Sequence, residues 1–350
     1  MSSAKDSQVP DGAALAWTRM LSAYRTPNAL RGCVEIAVTA APFALAWFTM
    51  YWALMHGYLW LYVLLALPTA GLMVRLFMIQ HDCGHGAFFA NKRANDWTGR
   101  LISIVTVTPY DLWRRAHSIH HATHGNLGRR GVGDMDTITV SEYLARSPLT
   151  RLRYRAYRHP LVMFGIGPLF VFLLQNRVPA GFMRNGWAPW VSTMATNVAI
   201  FAAYALTIWA VGITPFLLVH LPVVLLGAAM GIFLFYVQHQ FEHSYWERSE
   251  NWSYRQGALR GSSHYDLPPV LRWFTANIGI HHVHHLSSQI PYYRLPQVLR
   301  EHPELGGVNR LTLLQSFKCL RLALWDEQTR RLISFAELRR LQRDAHPRPA

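Results

Sequence analysis

Four tight groups of histidine stand out in this sequence: His81 and His85; His117, His120 and His121; His239 and His243; and His281, His284 and His285, with His282 inside the last group. On a helix of about 3.6 residues per turn, spacings of three and four place side chains on one face. Each group therefore presents two or three imidazoles toward one point. Imidazole is a common ligand of zinc, copper, iron and nickel. A structural zinc would use four donors, whereas eight or nine nitrogens can fill two ions and leave positions open to a substrate or to oxygen. Neutral imidazoles leave the metal charge uncompensated, and carboxylates are sparse. Asp82, Asp111, Asp134, Asp136 and Glu242 are therefore expected behind the ligands, orienting ring N–H groups.

Stepping outward from the histidines, four apolar stretches are long enough to cross a hydrocarbon layer as helices, at residues 34–55, 59–80, 190–211 and 215–238. Residues 56–58 and 212–214 join them into two tight hairpins without a Lys or Arg in either connection. Apart from Arg75, every basic residue lies before, between or after the hairpins, which places those regions, both termini and all four histidine groups on the cytoplasmic side. The first and third groups begin where the second and fourth spans end. The apolar runs 101–108 and 161–174 are too short to span and read as re-entrant or interfacial.

Composition agrees. Of 350 residues, 51% are hydrophobic and 15% charged, with 13 Trp, as in a membrane protein. The net charge of +15 is spread over cytoplasmic loops facing anionic lipid head groups, which argues against nucleic acid as a partner. The three cysteines, Cys33, Cys83 and Cys319, form no paired motif. No cleaved leader, repeat or linker is expected. The reading is all-α: four transmembrane helices in two hairpins under a cytoplasmic helical cap that carries the metal site. It divides into an N-terminal segment (1–32), a membrane domain (33–300) and a basic tail (301–350). Within the tail, residues 311–324 repeat apolar positions at helical spacing beside Lys318 and Arg321, an amphipathic helix suited to the cap and to anionic lipid.

His81-Asp-Cys-Gly-His85, His117-Ser-Ile-His120-His121 and His281-His-Val-His284-His285 resemble the three histidine boxes of membrane fatty-acid desaturases in order, spacing and position. The phrases Gln80-His-Asp-Cys-Gly-His-Gly86 and His285-Leu-Ser-Ser-Gln-Ile-Pro-Tyr-Tyr-Arg-Leu295 look most like the bacterial and acyl-lipid enzymes of delta-12 or omega-6 type. The resemblance covers about residues 75–299. It implies two iron ions, oxygen as co-substrate, and a cis double bond placed in the acyl chain of a membrane lipid or activated fatty acid. It also implies a location in the bacterial inner membrane.

Two electrons must come from outside. The haem motif His-Pro-Gly-Gly of fused desaturases is missing at His159-Pro160, His302-Pro303 and His346-Pro347, so a separate donor such as ferredoxin is implied. The family also takes a ligand from the end of the fourth span, which makes His239 and His243 candidates. His124 and His282 are set aside, because the boxes end or vary there, and His220 reads as a satisfied polar residue at a kink. Arg75, a charge within the second span, is expected beside the acyl tunnel, held by a polar partner and supporting the first box. A hydroxylase or ketolase of the same superfamily is the alternative, and a metal transporter a remote one.

Overall fold

The structure, a computed structural model, describes residues 11–345. His346 lies outside them. In chain order, the elements that build the site begin with α1 (Ala29–Met55), α2 (Leu59–Gly84), α3 (Lys92–Val105) and α4 (Tyr110–Thr123). They continue with α5 (Trp187–Val211), α6 (Ile213–His239), α7 (Tyr254–Arg260), α8 (His281–Leu286) and α9 (Leu313–Cys319). The helices α1, α2, α5 and α6 are the four apolar enough and long enough to cross a membrane, so this is an integral membrane protein. Helix α1 starts five residues before the apolar run, because the Asn28 side chain accepts the Arg31 N–H at 2.8 Å and caps it. Gly57 (φ 78°) and Gly212 (φ 86°) turn the two hairpins.

Helix α2 is central. In its most apolar window 56% of residues are buried within the protein, against 11% for α5, whose sides face lipid. Both α2 and α6 run past their apolar stretches and end on Gly84 and His239, delivering histidines just where each span finishes. The run 101–108 ends α3 and turns through Val107, a β-branched residue at φ 55°. Val107 belongs to a core cluster with Met50, Met73, Ile200 and Val223, so this loop enters the membrane-spanning layer. The run 161–174 forms two π-helical stretches, Val162–Ile166 and Phe170–Leu174, around Gly167 and Pro168. It is bent by 58° from the preceding helix Pro148–Tyr157.

Helices dominate as expected, but the cap also holds two small sheets. Strand β1 (Ile138–Thr139) pairs parallel with β4 (Leu322–Asp326), which pairs antiparallel with β5 (Arg331–Ser334). Strand β2 (His264–Asp266) pairs parallel with β3 (Arg310–Thr312). The amphipathic helix expected over 311–324 is thereby corrected. Only α9 is helical, started by a Thr312–Gln315 capping box. The chain then extends because Arg158 donates to the Leu322 carbonyl at 2.8 Å and Tyr154 to the Ala323 carbonyl at 2.7 Å, while β1 takes the strand edge.

Candidate metal centre

The histidines of four elements meet at one end of the spans, where α2 and α6 finish. In one group, Nε2 of His117 lies 3.0 Å from that of His85 and 3.1 Å from that of His121, which lies 3.2 Å from Nε2 of His284. His81 joins them, all five residues having ligand atoms within 4.8 Å of one another. In the second group, Nε2 of His239 lies 3.1 Å from that of His120 and 3.0 Å from that of His281, which lies 3.1 Å from Nε2 of His285. The groups touch where the His121 and His285 rings stack at 4.0 Å. The sequence folds this way because α4 and α8 each place residues three and four apart on one face, while His81 and His239 close the last turns of α2 and α6.

Neutral imidazoles cannot all satisfy one another through unprotonated nitrogens. Lone pairs aimed at a shared point about 3 Å from edge to edge are what a cation with metal–nitrogen bonds of about 2.1 Å requires. Burial, reinforced by the neighbouring imidazoles, holds His85, His117, His121, His284 and His285 well below the usual histidine range. That keeps them neutral, the ligating form. The clusters can therefore hold metal ions.

Two of the five expected carboxylates stand behind the ligands. Asp82 Oδ1 is 3.1 Å from Nδ1 of His81, and Asp134 pairs with Nδ1 of His120. Burial pushes the Asp134 carboxyl up, but His120 and His124 outweigh it and hold the group below the usual carboxylate range. Nδ1 of His239 faces the Gly261 carbonyl at 3.2 Å.

The other three expectations are corrected. Asp111 pairs with Arg100 and Arg114 and accepts from Ser192 at 2.7 Å, tying the cap to α5. Asp136 is held through its backbone, its amide donating to Tyr157 and its carbonyl accepting from Tyr154 and Arg158. Glu242 is exposed and pairs with Arg331 at 3.2 Å. His243 is exposed as well and belongs to neither ligand group. Helix α6 ends at His239, and Gln240 (φ −111°, ψ 69°) leaves the helical region, so the four-residue spacing no longer means a shared face.

Arg75 is buried as expected, but elsewhere. It pairs with Glu35 and the Trp273 carbonyl, donates to Thr39 Oγ1 at 3.1 Å, and lies 4.3 Å from the Trp273 ring centroid. The opposite face of α2, with Met73, Phe77 and His81, lines a cavity of about 730 Å³ that reaches His117 and His281. Its other walls come from the π-helical stretches and α6, and are mainly apolar. The tunnel placement of Arg75 is therefore corrected, while its support of the first box has a route. The Glu35 carboxylate that pairs with it accepts the Tyr292 hydroxyl at 2.9 Å, and the Tyr292 amide donates to Asp82 at 2.7 Å.

Three contributors were missed. His124 donates from Nε2 to the Gly261 carbonyl (2.9 Å), approaches Asp134 at 3.5 Å and packs 4.1 Å from the His239 ring; its spacing from His121 was the available signal. Glu35 was a lone acid in the first apolar stretch. Trp113, stacked on His117 at 4.5 Å, lies one turn before it on α4.

A family model for fatty acid desaturases matches residues 58–314. A fatty acid desaturase of Bacillus subtilis is 43% identical over 93% of this chain and 91% of that protein. The sn-1 acyl-lipid omega-3 desaturase (ferredoxin) of Synechocystis is 26% identical over 75% of this chain and 71% of its own. The acyl-lipid omega-3 desaturase (cytochrome b5) of Arabidopsis thaliana is 27% identical over 75% and 66%.

Proposed function

This chain belongs to the fatty acid desaturase family and is an enzyme that desaturates fatty acids, and from that premise we propose how its residues do so. The observation that carries the reading is an apolar cavity ending on His81 and His117, of one imidazole cluster, and on His281, whose Nε2 lies 3.0 Å from His239 of the other. The assigned ligands are His81, His85, His117, His121 and His284 around one iron, and His120, His239, His281 and His285 around the other. Bound there, the two irons supply the oxygen-dependent removal of two hydrogens from neighbouring methylenes. The protein's part is positional: apolar walls lay the acyl chain along α2 and keep water from it, and Trp113 holds the His117 ring. Asp82 and Asp134 fix the tautomers of His81 and His120, so that Nε2 remains the donor atom.

The centre lies on the cytoplasmic side of a bacterial inner membrane, within a catalytic domain spanning about residues 33–300. Electrons come from a separate carrier such as ferredoxin, a donor named in the Synechocystis relative, attracted by the chain's positive charge. Anionic lipid supports the cap. The delta-12 or omega-6 position is read from the motif phrases alone. The test is expression in a host lacking polyunsaturated lipids, with gas chromatography and mass spectrometry of its fatty-acid methyl esters. A new cis double bond is the expected product, and its position assigns the regiochemistry. A new hydroxyl or keto group instead would make the chain a hydroxylase or ketolase.

A further inference from the structure

We propose that Arg177, with Gln175 and Asn176 beside it, forms a subsite for an anionic lipid oxygen at the bilayer-facing edge of the cavity. The proposal rests on the reading of that cavity as the acyl site. Gln175 and Asn176 line the cavity together with Thr106 and Thr108, a polar patch on walls that are otherwise mainly apolar. Arg177 follows directly. Its guanidinium donates to Asn197 Oδ1 at 2.9 Å and to the Val107 carbonyl at 2.6 Å, and Asn197 returns a bond to the Arg177 carbonyl at 2.8 Å.

These partners place the charge inside the membrane layer. Asn197 lies ten residues, or about 15 Å, along α5 from its cytoplasmic end. The flanking Leu173, Leu174 and Val178 are exposed and apolar. A cation at such a depth is costly and is held by a counter-charge or by carbonyl oxygens. Arg75, the arginine within α2, has one in buried Glu35. Arg177 has only neutral acceptors: no carboxylate pairs with it among the described residues, and its Nε is buried without a partner.

A structural clamp on the Val107 turn accounts for two of its bonds and leaves the charge unbalanced. A phosphodiester or carboxylate oxygen supplies the missing charge and matches the guanidinium fork. Both chemistries occur on acyl lipids, one in a phospholipid and the other in a free fatty acid. Because Thr106 and Thr108 flank the carbonyl that Arg177 grips, the same arginine connects the polar end of a bound lipid to the wall of the acyl cavity.

The test measures binding without reductant or turnover. Purified full-length protein in nonionic detergent is titrated with three probes of one acyl chain: a diacyl phosphatidylglycerol, the free fatty acid and its methyl ester. Native mass spectrometry reads the affinities. The wild type is expected to bind one anionic probe about tenfold more tightly than the methyl ester, and the favoured probe identifies the source of the oxygen. Arg177→Gln loses that preference while keeping its methyl-ester affinity, and Arg177→Lys retains part of it. Asn176→Ala, which leaves the clamp on Val107 intact, weakens the anionic probe about threefold. Equal binding of all three probes by the wild type, or an unchanged preference in the Gln or Ala variants, overturns the subsite. So does a folded Lys variant that discriminates no better than Gln. Failure of the wild type to bind the methyl ester would instead refute the acyl cavity.

Discussion

The backbone amide of Tyr292 donates to the carboxylate of Asp82 at 2.7 Å, which makes the segment after the third histidine box a support for the first. Asp82 faces Nδ1 of His81 with its other oxygen. Replacing Asp82 by Asn keeps the shape but leaves one oxygen where Tyr292 and His81 use two. Metal affinity should fall about 10- to 100-fold, read as iron per protein across a chelator series. Full iron retention would leave Asp82 without a role at the centre.

The pair of Arg75 and Glu35 is buried on both sides, each side chain 3% exposed. Arg75→Leu should destabilise the protein by about 3 kcal/mol, the low end for breaking a buried pair, because Glu35 keeps only the exposed Arg31 at 2.7 Å and the Tyr292 hydroxyl as partners. The double variant Glu35→Leu/Arg75→Leu should recover much of that loss. Thermal unfolding in detergent checks both. Since Arg75 does not line the cavity, the product profile of surviving enzyme should keep its double-bond position. A shifted position would return Arg75 to the tunnel.

Asp134→Asn should lower iron occupancy through His120, whereas Asp111→Asn, Glu242→Gln and His243→Ala should leave it intact. The first removes a carboxylate held against a ligand ring, and the other three alter groups that lie away from the two ligand clusters. Metal analysis of the four purified variants distinguishes them. Equal losses in all four would refute this sorting of the acids.

A Cβ built on Gly231 meets nothing within 4 Å, and the residue lines the cavity. Gly231→Leu should therefore fill acyl space without disturbing the fold, and cavity-filling of this kind changes which chains fit. The expected outcome is reduced turnover of long chains relative to shorter ones at an unchanged melting temperature. Chain-length preference identical to wild type would remove this region from the substrate path.

What the sequence made legible was whatever follows from length and local period. The four spans appear as apolar runs, and His117, His120 and His121 fall together because α4 is a regular helix through all three. The failures lie where the period stops. His243 was assigned on a helical spacing from His239, but the helix ends at His239 itself, and the acid beside it, Glu242, turns out to solvent. Residues 311–324 carry a helical pattern that strand pairing with β1 overrides. Tyr292 reaches Asp82 through a main-chain N–H, which no side-chain motif reveals, and Asp111 is held by Arg100 of α3 and Arg114 of α4. His124 kept the right spacing and was discounted because the matching motif stops before it.

The central claim is that nine histidines, and not His243, hold two irons. Iron per chain, measured by plasma mass spectrometry on the purified wild type and on single alanine variants, tests it most directly. About two irons are expected in the wild type and in His243→Ala, and a clear deficit in variants from each group, such as His85→Ala and His239→Ala. A wild type that retains zinc or a single iron, or a His239→Ala variant that retains the full complement, would contradict the account.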